Sequence, residues 1–486
     1  RTAIAGEFSL PRLPCSSFSQ HQRAEDSLMT QQGSNIPTPK RHGISATEAR
    51  QLSERVLKFS KAENARVNIT SGIQGFTRSA ANRVTTSGVQ DDISVQITSA
   101  FGKRVATIET NRLDDTSLER AVRESESLAR ISPENPQYLP ELGPQTYSDL
   151  DGYYESTGNL STESRAQAAT LGIKAADAAK AIASGYIEVR AGSQSIATSK
   201  GLFGYYARTG VSSTLTVRTS DGLSSGWAGS EGADWNTIES RRVANDAVRK
   251  CQEWRGKTSL EPGKYLVVLE PVAAGMLLGL LRGAFDARSA DEGRSFFSKP
   301  GSGNRIGEKL FDSRVTLISD PSEKNAEATP FAPGGLPIRR ETWIENGVLK
   351  ELAYNRFWAE RQGVAPRSNP NNLRMSGGNA SVEDMIKSVN RGVLITRFFY
   401  IRSTNPRTIA YTGVTRDGTF IIENGKVSRP VNNFRFNQSI TEMLSNIQAL
   451  GRPMRVAGED GTVGAGIVVP PMLVRDFNLT SISDAV

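Results

Sequence analysis

The sequence predicts an α+β protein: an N-terminal α/β region of helices packed on antiparallel sheet, followed by a β-rich C-terminal domain with a few helices. Three observations carry this. Before residue 260, apolar residues recur at helical spacing in several stretches, with period-two alternation between them. After Tyr265 the helical pattern thins out, and two near copies, Ile344-Glu345-Asn346-Gly347-Val348 and Ile422-Glu423-Asn424-Gly425-Lys426, place Asn-Gly between β runs. That dipeptide favours a two-residue hairpin turn, because both turn positions need φ > 0. Lastly, 44 glycines and 22 prolines in 486 residues provide for many turns.

Residues 1–44 read as a disordered tail or a targeting extension, dominated by Ser, Gln, Pro and Thr and without periodicity. The chain starts at Arg1, as a fragment, a processed form or an over-extended translation would, and Met29 is a candidate natural start. Ala3 to Leu13 lacks the sustained apolar core of a secretory signal, and Glu7, Glu25 and Asp26 count against a transit peptide.

A first α/β unit with its linker spans 45–150. Ser45 and Glu48 form a capping box, and Ala49, Leu52, Val56 and Phe59 follow at helical spacing. Strands are expected around Val67 and Ile69, around Ile93, Val95 and Ile97, and at Val105 to Ile108 after a Gly102-Lys103 turn. Asp114 and Asp115 open a helix with Leu118, Ala121, Val122, Ser125, Leu128 and Ala129 on one face, ending before Pro133. Residues 133–150 carry four prolines and read as a linker.

A second α/β unit spans 151–260, with an Ala-rich helix from Thr162 to Ala183, strands at Tyr186–Val189 and Thr214–Val217, and a helix from Trp235 to Trp254. Cys251 lies on the apolar face of that last helix with Ile238, Val243, Ala247 and Val248, which predicts a buried, inert thiol. The β-rich domain, 261–486, follows Glu261-Pro262-Gly263. It opens with a strand at Tyr265–Leu269 and an apolar helix from Val272 to Ala287. Two short helices interrupt its strands, one opened by Ser381 with Asp384 and one by Ser439 with Glu442, the latter as a capping box.

The body of the chain has no imidazole. Both histidines, His21 and His42, precede residue 43, and Cys15 and Cys251 are the only cysteines. This excludes Ser-His-Asp and Cys-His catalysis, a His general base and every His-containing zinc site. Two cysteines make neither a Cys-only zinc site nor a disulfide framework. The longest apolar stretch, Pro271 to Leu281, falls well short of the ~18 residues of a membrane helix. A net charge of +8 from 59 basic and 51 acidic residues is scattered rather than blocked, which favours a solvated mixed-charge surface over nucleic-acid binding.

Common motifs fail on their spacing. Gly256-Lys257-Thr258 resembles the end of a phosphate-binding loop, but the required first glycine position is Cys251. Gly301-Ser302-Gly303-Asn304-Arg305-Ile306-Gly307 has one residue too many for a dinucleotide loop and follows no strand. No lysine has a serine three residues before it, so a Ser-x-x-Lys hydrolase is excluded. Glu270, Asp286, Asp291 and Glu292 cluster around the apolar helix, where carboxylates more often serve helix ends than catalysis.

The informative segment is Val267-Val268-Leu269 followed by Gly275-Met276-Leu277-Leu278-Gly279-Leu280-Leu281-Arg282-Gly283-Ala284. Here the chain resembles the TldD/PmbA family, known as modulators of DNA gyrase or microcin-processing metallopeptidases. The likeness runs from about residue 66 to 484. It includes Ala80-Ala81-Asn82-Arg83-Val84, Leu113-Asp114 to Leu128-Ala129-Arg130, Ile344 to Lys350, Arg391-Gly392-Val393-Leu394-Ile395-Thr396, Ile422 to Gly425 with Arg429-Pro430-Val431, and Asn478-Leu479-Thr480.

In the catalytic branch of that family, the helix after the strand carries His-Glu-x-x-x-His and a cysteine near the C-terminus completes a zinc site. The matching positions here are Gly279, Leu280 and Ala284, with Ala457 at the cysteine position before Gly458-Glu459-Asp460-Gly461. The chain thus resembles the PmbA (TldE-like) branch, which lacks the zinc motif. That resemblance implies no catalytic residues and no metal in this chain, which is inactive alone. It implies zinc in a TldD-like catalytic partner, as a heterodimer, with a homodimer as the other arrangement. It further implies cytoplasmic proteolysis and maturation of unfolded peptides, with no membrane and no nucleic acid. Asn372, Arg374 and Asn379, around Met375-Ser376-Gly377-Gly378, are the expected peptide-lining residues. The alternative expectation is a binding or regulatory protein that acts on gyrase or nucleic acid without a peptidase.

Overall fold

Six strands form one antiparallel sheet: β1 (Asn64–Ala80), β2 (Arg83–Phe101), β3 (Arg104–Thr110), β4 (Ala181–Thr198), β5 (Phe203–Thr219) and β6 (Ser225–Gly232), in the order β3-β2-β1-β4-β5-β6. The computed structural model describes residues 41–458 and 466–483; residues 1–40, with Cys15, His21 and Met29, and Glu459, Asp460 and Gly461 lie outside them. Helices α1 (Ala46–Phe59) and α2 (Asp115–Ile131) pack Leu52, Val56, Leu118 and Val122 onto Val67, Ile69, Val95 and Ile97. Helices α3 (Thr162–Ala178) and α4 (Ser240–Glu253) pack Ala176, Val243 and Ala247 onto Ala183, Leu215 and Val217. Gly226 lets α4 lie directly on β6, since a Cβ there would come within 2.3 Å of the Ala247 carbonyl oxygen. Helices on antiparallel sheet are therefore observed as the sequence predicts. The stretches 45–150 and 151–260 each supply three strands to this one sheet, joined by the β1–β4 ladder.

The strands run far longer than apolar alternation indicates. The N-terminal part of β2, Arg83 to Asp92, is polar and exposed on both faces, so its ladder to β1 holds it in place rather than burial. The β1–β2 turn is Ala81-Asn82, both at positive φ without a glycine (48° and 59°). Asn82 secures it by donating to Asp177 at 2.6 Å and to the Ala181 carbonyl at 2.8 Å. Helix α3 ends at Ala178 rather than Ala183, because Ala181 and Ala183 are buried as strand residues; alanine suits either state and tertiary packing decides. Helix α4 starts at Ser240, after a 3-10 turn at Trp235–Thr237. Residues 133–150 are no loose linker. Glu141 is buried against Arg66 at 3.2 Å, and Leu142, Tyr147 and Leu150 pack against Ile196, Tyr206 and Phe331.

The C-terminal domain is built on β7 (Gly263–Leu269). Strands Arg391–Asn405, β7, Met472–Ser483, Asn433–Ser439 and Ala410–Glu423 lie side by side, and the first pairs with the last, closing the sheet on itself. Phe398, Phe436 and Phe477 meet inside it with ring centroids 4.6, 5.7 and 5.9 Å apart. A second sheet of six short strands, from Leu317–Ser319 to Ile467–Val469, packs into the same apolar core. Both Asn-Gly hairpins form, with Asn346 and Gly347 at φ 50° and 82° and Asn424 and Gly425 at 51° and 74°.

The helix caps at Ser381 and Ser439 exchange their expected roles. Ser381 and Asp384 make the reciprocal box, whereas Ser439 accepts the Glu442 N–H without a return bond, its hydroxyl being held by Thr408 and Thr441. A further helix, Arg356–Gln362, has no counterpart in the sequence reading.

Candidate functional site: a cavity at the metal-linked positions

The apolar helix expected from Val272 to Ala287 is three pieces: α5 (Pro271–Gly279), a 3-10 segment Leu280–Phe285 and a short helix Ala287–Asp291. Pro271 starts α5 at a position where a missing N–H costs nothing. Apolar residues all around α5 bury it between β7, strand Arg391–Asn405 and Ile467–Val469. Its Gly275–Gly279 stripe permits close approach: an added Cβ would lie 2.7 Å from Val456 and 3.0 Å from Ile467.

Beside that stripe lies a cavity of about 570 Å³, walled by α5, the Phe399–Arg402 stretch, Val456–Gly458, Ile467 and Glu231. Three of the four positions that the family resemblance links to a metal, Gly279, Leu280 and Ala457, line it. Ala284 instead packs against the C-terminal core. None of the four has a side-chain nitrogen, oxygen or sulfur, so a zinc ion does not fit these positions. Among the described residues, no group of three His, Cys, Asp or Glu is placed to hold a metal.

The charges around the cavity differ in how they are matched. Glu231 accepts from Arg455 at 3.1 Å and from the Gly458 N–H at 3.1 Å. Burial disfavours the Arg455 charge, but Glu327 and Glu231 outweigh that and hold its pKa above the ordinary value. Arg282, in the 3-10 segment, donates to the Gly279 carbonyl at 3.4 Å. Among the described residues no carboxylate lies within ion-pair distance of it, and burial pulls its pKa below the ordinary value.

Opposite, a β-bulge between Phe399 and Arg402 turns the strand over the cavity mouth. Tyr400 there is 61% exposed at φ 52°, a strained conformation for a tyrosine. Arg402 lies over its ring at 4.1 Å.

The other sequence-derived candidates have structural partners. Asn372 is buried and bonds to backbone: it accepts from the Asp320 N–H at 3.0 Å and donates to the Asp320 carbonyl at 2.6 Å and to that of Ala326. Arg374 pairs with Glu323 at 2.9 Å. Asn379 is exposed, and its carbonyl accepts from Arg452. None of the three lines the cavity at Gly279.

Glu270 pairs with Lys250 at 2.6 Å, Asp286 caps the short helix through the Ser289 N–H, Asp291 accepts from Trp358 and Asn304, and Glu292 is held by Arg288 and Arg294. Cys251 is buried, and burial raises its pKa. The sequence reading missed Arg282, Phe399, Tyr400, Arg402 and Glu231. The one available signal was Arg282, a single charge within an apolar run. Among the described residues, no helix is long and apolar enough to cross a membrane.

Residues 262–481 match the PmbA/TldA metallopeptidase C-terminal domain, and residues 159–252 match its central domain. A "Metalloprotease TldD homolog" of Buchnera aphidicola subsp. Acyrthosiphon pisum is 25% identical over 199 residues, covering 36% of this chain and 40% of that protein. "Metalloprotease PmbA" of Escherichia coli O157:H7 is 24% identical over 215 residues, covering 43% and 46%. The chain thus spans less than half the length of each of these curated relatives. The crystal structure of TldE from Thermococcus kodakarensis superposes with a TM-score of 0.77 at 17% identity, covering 89% of this chain and 99% of that one. That of a candidate modulator of a DNA gyrase from Thermotoga maritima gives 0.76 at 19% identity, covering 88% and 99%. These two likenesses establish the fold.

Proposed function

The chain belongs to the PmbA/TldD metallopeptidase family, and from this we propose that it is a non-catalytic partner subunit of a TldD-type zinc peptidase that degrades and matures unfolded peptides in the cytoplasm. One observation carries the proposal. Gly279, Leu280 and Ala457 converge on one cavity as a metal site's ligands would, yet none has a donor atom. Zinc chemistry needs converging nitrogen, sulfur or oxygen ligands with an open position for water. With the cavity kept and the donors absent, the hydrolytic centre belongs in another polypeptide, and this chain contributes walls and strand edges that hold an extended substrate by main-chain hydrogen bonds.

The test is to purify this chain alone and together with a TldD-type chain carrying an intact His-Glu-x-x-x-His helix. The expected result is no stoichiometric zinc and no cleavage of an unstructured peptide by this chain alone, stable co-purification, and cleavage in the mixture. Stoichiometric zinc in the isolated chain would overturn the proposal. Salt-sensitive retention of the isolated chain on DNA would instead support a gyrase- or nucleic-acid-linked binding protein.

A further inference from the structure

The cavity at Gly279 is hollow and lined with apolar groups, but it is not neutral. Met276, Leu280, Phe399, Ile401, Val456 and Ile467 supply apolar walls. Among the described lining residues the one carboxylate, Glu231, is already committed to Arg455 and the Gly458 N–H. Arg282, which is partly buried, and Arg402, which is exposed at the mouth, remain, and among the described residues each hydrogen-bonds to a backbone carbonyl and neither pairs with a carboxylate. A guanidinium withdrawn from water without a counter-ion is costly, and a planar carboxylate matches its paired N–H groups. The surroundings are built rather than incidental: the bulge at Phe399–Arg402 and the left-handed Tyr400 hold an aromatic ring and a second guanidinium over the mouth.

We propose that this cavity is a carboxylate-binding site in which Arg282, seconded by Arg402, receives the C-terminal carboxylate of a peptide whose last side chain is apolar. The apolar walls take that side chain, and the guanidinium fills the role of positive charge in a cavity without metal ligands. A peptide as the carrier of the carboxylate rests on the function proposed above; the carboxylate site itself does not.

Binding of acetyl-Ala-Ala-Leu with a free carboxylate, of its C-terminal amide, and of acetyl-Ala-Glu-Leu-amide to the full isolated chain is measured by calorimetry. The acid is expected to bind about tenfold to a hundredfold more tightly than either amide, the range of one charge-assisted hydrogen-bonded pair. R282Q should erase that preference, R282K should keep part of it, and R402Q should reduce it less. Equal binding of acid and amide, or a preference undiminished in R282Q, overturns the proposal. Tighter binding of the Glu-containing amide than of the acid also overturns it, by assigning the site to acidic side chains. Because no second chain is present, a lost peptidase activity in the mixture with an intact acid preference here would refute the partner role and leave the carboxylate site standing.

Discussion

Phe398 and Phe399 are neighbours on one strand and face opposite fates. Phe398 is fully buried inside the closed sheet against Phe436 and Phe477, whereas Phe399 is half-buried at a cavity of about 570 Å³. On one side three aromatic rings pack against each other; on the other, Phe399 lines open space together with Met276, Leu280 and Ile401. Interiors close-pack because voids forfeit dispersion contacts and buried apolar area. A cavity of this size beside a well-packed core forfeits those contacts and so adds nothing to the stability of the fold.

The comparison can be broken most directly at its filled side. Phe398→Ala should lower unfolding free energy by about 3–5 kcal/mol, read from a urea transition. A loss below about 1 kcal/mol would mean that the closed sheet does not form a packed core. Next in size is Glu231→Gln, which withdraws the carboxylate from Arg455 and the Gly458 N–H in a nearly buried setting. A cost of about 1.5–3 kcal/mol is expected, as for hydrogen bonds to charged groups. An unchanged denaturation midpoint would show that the cavity wall does not depend on that contact. Phe399→Ala should cost only about 1 kcal/mol, since the ring is half-buried and touches space on one side. A cost equal to that of Phe398→Ala would erase the contrast.

A separate effect is alkaline. Burial raises Tyr206, Tyr147 and Tyr138 to about 12. Above pH 10 the unfolded chain's phenols ionise while these stay neutral, so the unfolded state sheds protons first. Their stabilising contribution is complete below pH ~10 and declines as the pH rises from ~10 to ~12. Denaturation midpoints at pH 8, 10 and 11 should show the fall beginning between the last two, and replacing Tyr206 by Phe should blunt it.

Much of the fold was legible locally. The Ser45 box, the Asp114 cap and the two Asn-Gly turns each act within a few residues, and all four form. What escaped detection depends on distant partners. The polar half of β2 is a strand because β1 lies beside it, and Ala81-Asn82 turns without glycine because Asn82 is anchored at Asp177 and Ala181. Ala181 and Ala183 leave helix α3 because a sheet neighbour is available to them.

The site divides the same way. That no imidazole or thiolate could gather at Gly279, Leu280, Ala284 and Ala457 was evident from residue identities alone. That Asn372 spends its amide on the backbone of Asp320 and Ala326, away from that cavity, was not.

Residue identities alone fix that Gly279, Leu280, Ala284 and Ala457 present no donor atom to a zinc ion, because a zinc site is a matter of side-chain nitrogen, oxygen or sulfur. What surrounds those positions follows from packing across the chain. Whether an arginine is neutralised depends on which side chains converge from segments more than a hundred residues apart. Packing brings two carboxylates to Arg455 and, among the described residues, none to Arg282.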